Sequence, residues 1–79
     1  MSEEFNVSDY ELVARMVLRL FGTNKETLAK MNSYPKILTR MDFLWRVERS
    51  GDKIFVSMSK ICKSEDEFPK WKLVYTYKF

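Results

Sequence analysis

Histidine is absent from this 79-residue sequence, and cysteine occurs once, as Cys62. Without imidazole the chain lacks the commonest general base and the commonest transition-metal ligand. One thiol with no histidine makes neither a zinc site of the usual ligand types nor a Cys-His nucleophile pair. The two glycines, Gly22 and Gly51, lie too far apart for a phosphate-cradling loop. Glu65-Asp66-Glu67 has the right residue types for a cation, but adjacent carboxylates in a polar stretch read first as solvated surface. The expectation is a protein that is not an enzyme, holds no metal or cofactor and takes no small-molecule substrate.

Cations and aromatic rings remain as the groups that can recognise something. The binding candidates are Arg15, Arg19, Arg46, Arg49, Lys53, Lys72 and Lys78. Arg15 and Arg19 are one helical turn apart and can clamp a phosphate, unless Arg15 instead pairs with Glu11 at i, i+4. Arg46, Arg49 and Lys53 flank a tight turn. Lys72 and Lys78 alternate with aromatics in the last segment, whose rings can stack on bases or pack as core. The net charge of +3 is unevenly placed. Basic residues outnumber acidic ones only after residue 33, so the C-terminal half is the one suited to a polyanion.

These groups need a scaffold. Hydrophobic residues make up 46% of the chain, enough for the core of one domain spanning residues 1–79. No apolar run approaches the ~18–20 residues of a membrane span, and the N-terminus carries no signal-peptide pattern. With a lone thiol, this predicts a reducing, cytoplasmic setting and no membrane partner.

Ser8-Asp9-Tyr10-Glu11 has the capping-box pattern, which opens a helix over 9–21. Leu12, Val13, Met16, Val17, Leu20 and Phe21 form its predicted apolar face, and Gly22 is placed to end it in a left-handed turn. Thr23-Asn24-Lys25-Glu26 repeats the box and predicts a short helix through Met31. Residues 36–41 remain open between helix and extended chain. Asp42–Ser59 reads as a β-hairpin about Ser50-Gly51-Asp52, with Trp45, Val47, Ile54, Val56 and Met58 facing the core. Ser64 is placed to cap a single helical turn with Glu67. Trp71, Leu73, Tyr75, Tyr77 and Phe79 alternate with Lys72, Val74, Thr76 and Lys78, which predicts a strand with one aromatic face. The fold class is therefore α+β: a small antiparallel sheet, hairpin plus C-terminal strand, packed on one long and one short N-terminal helix.

Two stretches carry a family resemblance. Asp9-Tyr10-Glu11-Leu12 running on to Leu18-Arg19-Leu20-Phe21, and Phe43-Leu44-Trp45-Arg46-Val47-Glu48 followed later by Phe68-Pro69-Lys70-Trp71, resemble the N-terminal domain of CasE. That family comprises the CRISPR-RNA endonucleases of the type I-E Cascade complex. The resemblance covers most of this chain and about half of a CasE protein. It implies half of a ferredoxin-like pair, with a first strand over Glu4 to Val7. Tyr10 matches the family's helix tyrosine, but the histidine that assists RNA cleavage is replaced by Val13, or by Ala14 if the helix is aligned from its C-terminal end. A phenol alone is a poor general base at neutral pH. The resemblance thus implies a non-catalytic protein that binds CRISPR RNA or Cascade subunits, as a phage-encoded anti-CRISPR inhibitor, decoy or regulator does. Two other readings fit the element order. A winged-helix DNA-binding regulator would place Lys36 and Arg40 on a third helix and Arg46, Arg49 and Lys53 on the wing. A small protein could instead bind an unrelated host protein through a strand edge.

Overall fold

The computed structural model describes residues 6–79; the expected first strand, Glu4 to Val7, lies outside them except for its last two residues. A single 3-10 turn over Val7–Tyr10 leads into helix α1 (Glu11–Leu18), followed by the one-turn helix α2 (Lys25–Ala29). Four strands complete the chain: β1 (Lys36–Arg40), β2 (Phe43–Ser50), β3 (Lys53–Lys60) and β4 (Lys72–Lys78). They form one antiparallel sheet in chain order, each strand beside the next. The fold is α+β, and among the described residues β1 adds to the hairpin and C-terminal strand that the sequence predicts.

The extra strand is the stretch that the sequence leaves open. Residues 36–40 pair with β2 rather than coil, so among the described residues there is no third helix to carry Lys36 and Arg40 into a DNA groove. Their connection is a two-residue turn in which Met41 (φ 53°) and Asp42 (φ 64°) both take positive φ. Tight hairpins demand that geometry because it follows the twist of the strands, but neither residue is the glycine or asparagine usually found there. The β2–β3 turn uses Gly51 at φ 61°, as predicted.

The 3-10 turn and α2 are capped by side chains, each at a different residue from the one expected, whereas α1 itself starts at Glu11 without a side-chain cap. Asn6, not Ser8, caps the opening turn, and its side chain accepts from the Ser8 amide at 3.1 Å. At α2 the reciprocal pair is Asn24 and Thr27: the Thr27 amide donates to Asn24 Oδ1 at 2.9 Å, and the Asn24 amide to Thr27 Oγ1 at 3.1 Å. Gly22 does not turn left-handed. It lies so close to α2 that an added Cβ would stand 2.8 Å from Thr27 Oγ1 and 3.0 Å from the Leu28 amide nitrogen. Ser64 and Glu67 close a turn through the Ser64 carbonyl and the Glu67 amide, with no helix.

One face of the sheet packs on the helices. Trp45, Val47, Ile54, Val56 and Met58 are fully buried there, as predicted, at about 1.5–3 kcal/mol for each side chain removed from water. Trp45 keeps its indole N–H satisfied by donating to the Arg40 carbonyl at 3.0 Å. The face turned inward matches the expected one at Val13, Val17 and Phe21 and departs from it elsewhere. Ala14, Val17 and Leu18 are buried, whereas Leu12, Met16 and Leu20 are more than half exposed. Small Ala14 lets the helix approach the sheet closely, and the buried arc is rotated by roughly one 100° residue step from the most hydrophobic one.

Candidate functional site

The sheet's other face carries no helix among the described residues. Because side chains alternate along a strand, it holds Leu44, Arg46 and Glu48 from β2 and Phe55, Ser57 and Ser59 from β3. At the far end Lys53 lies directly opposite Lys78 of β4. Two like charges in that position repel each other, and an anion placed between them relieves the repulsion. At the near end the segment after β3 folds back over the sheet. The Lys70 amide donates to Ser59 Oγ at 3.0 Å, which leaves Ser59 2% exposed. This return lays Trp71 beside Arg46, whose guanidinium carbon stands 4.9 Å from the ring centroid. Phe68, on the same segment, is 83% exposed.

A bulge in β4 makes this arrangement. Tyr75 is opposite Val56, but the next residue of β3, Ser57, is opposite Leu73, so Val74 is an extra residue. The strict alternation predicted for 71–79 therefore breaks. Tyr75, Tyr77 and Phe79 pack on the core with Val74, whereas Leu73 and Trp71 fall on the outer face. Lys72 and Lys78 are also parted: Lys72 lies opposite Met58 and makes its own interaction within the chain, while Lys78 stays on the outer face.

The predicted basic residues thus do not form one patch. Arg46, Lys53 and Lys78 share the outer face; about 13 Å of strand separates the Arg46 row from the lysine pair, at ~3.3 Å per residue. Arg49 is used by the fold. Its Nη1 donates to the Ala29 carbonyl and, at 3.0 Å, to the Met31 carbonyl at the end of α2, and its Nε donates to the Gly51 carbonyl at 3.2 Å. The same guanidinium sits 5.1 Å from the Phe79 ring centroid.

Arg15 and Arg19 lie on the helix side of the molecule and line a pocket with Tyr75 and Tyr77. No salt bridge joins Arg15 to Glu11 among the described residues. The numbered sequence candidates are all cations; the rings of 71–79 enter the sequence reading only as one face that stacks on bases or packs as core, and Phe55 does not enter it. The alternation of 71–79 was the available signal, and it was divided by a bulge that no glycine or proline announces.

Where the resemblance to CasE places its catalytic elements, the side chains serve packing. Tyr10 meets Phe43 edge-on, with ring centroids 5.2 Å apart, and Ala14 is fully buried. Neither replacement position presents an acid or base to solvent, since valine and alanine have none. No helix among the described residues is long and apolar enough to cross a membrane. No protein-family model, curated protein or solved structure matches this chain.

Proposed function

We propose that this chain is a non-catalytic binding protein that engages a CRISPR RNA hairpin through the outer face of its sheet, and so acts as an inhibitor or decoy of a Cascade complex. One observation carries the binding half of this reading: a sheet face with no helix on it among the described residues, bearing Trp71 against Arg46, with Phe55 and the opposed Lys53–Lys78 pair. Aromatic rings and arginine planes accept unstacked bases, and the lysines neutralise phosphates. The choice of RNA rests on the likeness to CasE in the first helix and the hairpin. It does not draw on the order of the strands, since a ferredoxin-like unit interleaves two helices with its strands and this sheet is a plain meander.

Fluorescence anisotropy with a labelled CRISPR repeat hairpin tests the reading. Trp71→Ala should weaken binding by about 1–3 kcal/mol, the range for one base–aromatic stack. Lys53→Gln with Lys78→Gln should flatten the salt dependence by about two phosphate contacts. CRISPR-RNA maturation should slow when the protein is added. No binding and no change in maturation or Cascade assembly would sink the proposal. Binding to Cascade subunits without RNA would transfer the partner to protein, where the short edge strand β1, with Ile37 60% exposed, is the surface to mutate first.

A further inference from the structure

We propose that the pocket between the end of α1, the start of α2 and β4 is a binding site for a phosphate monoester. The site lies on the helix side of the sheet and stands apart from the RNA-binding reading. Its volume is about 160 Å3, well beyond the space one water needs. Arg15 on α1 and Arg19 at its C-cap, four residues apart, both line this space. Tyr75 and Tyr77, two apart on β4, supply the opposite wall, and the side chains of Leu18 and Leu28 form an apolar floor.

The charge of the lining is one-sided. Among the described residues two permanent cations and no carboxylate line the space, and neither arginine has a salt bridge. The backbone opposes an anion less than a helix C-terminus ordinarily does, because the carbonyls of Arg15, Val17 and Leu18 already accept from the amides of residues 19, 20 and 21. Tyr75 and Tyr77 line the same space, and a phenol hydroxyl can donate to a phosphate oxygen. A monoester carries close to two charges and three free oxygens near neutral pH, which matches two guanidinium forks and two hydroxyls. A phosphodiester, with only one charge and two free oxygens, matches a pair of guanidinium groups less well. The aromatic wall and leucine floor favour a monoester whose organic part is flat and apolar.

Titration followed by 1H–15N correlation spectra tests the site, with inorganic phosphate and phenyl phosphate as probes and sodium chloride as the ionic-strength control. Saturable shifts are expected at residues 15, 19, 23, 24, 75 and 77, with a dissociation constant of about 1 mM for phosphate and a lower one for phenyl phosphate. Arg15→Gln with Arg19→Gln should weaken both by about tenfold or more, and Tyr75→Phe with Tyr77→Phe by a few-fold. Both arginines are exposed, so the fold should survive, and the single variants provide a second measurement if the double one does not fold. Shifts no larger than those from chloride, shifts centred on the outer sheet face, or affinity unchanged in the arginine variants would each overturn the proposal. None of these outcomes bears on RNA binding, because no RNA is present.

Discussion

Replacing Arg49 separates a structural cation from a ligand-binding one. By sequence Arg49 belongs with Arg46 and Lys53 as part of a charged hairpin, and in the fold it is the brace that fastens α2 to the sheet. It donates to the carbonyls of Ala29, Met31 and Gly51 and covers the ring of Phe79. Hydrogen bonds from a charged donor contribute about 1.5–3 kcal/mol each when sheltered, and a surface cation–π contact about 0.5–1 kcal/mol. Two of the three hydrogen bonds are solvent-exposed, so the sum must be discounted, and about 2–3 kcal/mol is the reasonable loss for Arg49→Met. Methionine keeps the aliphatic stem and removes only the donors. At roughly 4–8 °C per kcal/mol for a domain of this size, the melting temperature should fall by about 10–20 °C. Arg49→Lys should recover little of that, because one ammonium group cannot reach three carbonyls and lie flat on a ring. Circular dichroism melts measure the stability, and RNA anisotropy well below the melting point measures affinity, which should be unchanged in both variants. If Arg49→Met melts like the parent and Arg49→Lys retains RNA affinity that Arg49→Met loses, the brace is refuted and Arg49 is a phosphate contact.

Two further outcomes test the fold that positions the sites. Met41 holds positive φ at a cost on the order of 1–2 kcal/mol for a left-handed residue of ordinary type, and Asp42, which tolerates that region better, still lacks the freedom of glycine. Met41→Asn with Asp42→Gly should therefore raise stability by about 1 kcal/mol in urea denaturation, and a drop would mean that the turn is not of this kind. On α1 and the turn after it, replacing exposed Leu12, Met16 or Leu20 by Gln should change stability by no more than about 0.5 kcal/mol, whereas Leu18→Ala should cost about 2–5 kcal/mol. Equal damage from the two sets would place the helix in the orientation that its hydrophobicity alone predicts.

What could be read from the sequence follows from where local chemistry is decisive. The central hairpin is legible because Gly51 marks the turn and the fully buried apolar side chains, Trp45 and Val47 on one strand and Ile54, Val56 and Met58 on the other, fall at every second position. The same logic hides β1: Met41-Asp42 carries no turn signature, so a five-residue strand looks like a helix turn as easily as an edge. The helix face misled for a related reason. Ala14 contributes almost nothing to a hydrophobic pattern, yet its small size decides how closely α1 meets the sheet, and that contact outweighs burying Leu12, Met16 and Leu20. Pairing at a distance is the least visible quantity of all. Nothing near Arg49 in the chain announces that its acceptors lie about twenty residues earlier, at the end of a helix of one turn.

The bulge at Val74 joins these threads, because it decides which aromatic residues serve stability and which remain available for recognition. With unbroken alternation, Trp71 and Leu73 would follow Tyr75 and Tyr77 onto the helix side, and the outer face would lose its indole. One extra residue turns the strand over at its midpoint. The C-terminal part of β4 then closes the core and offers Tyr75 and Tyr77 to the arginine pair of α1. The segment before the bulge, held by the Lys70–Ser59 hydrogen bond, delivers Trp71 to Arg46 on the opposite face. A small domain has too little apolar surface to spare a whole aromatic strand from its core. Dividing the strand resolves that conflict, and it makes the two proposed binding surfaces depend on a single irregularity in the register of β3 and β4.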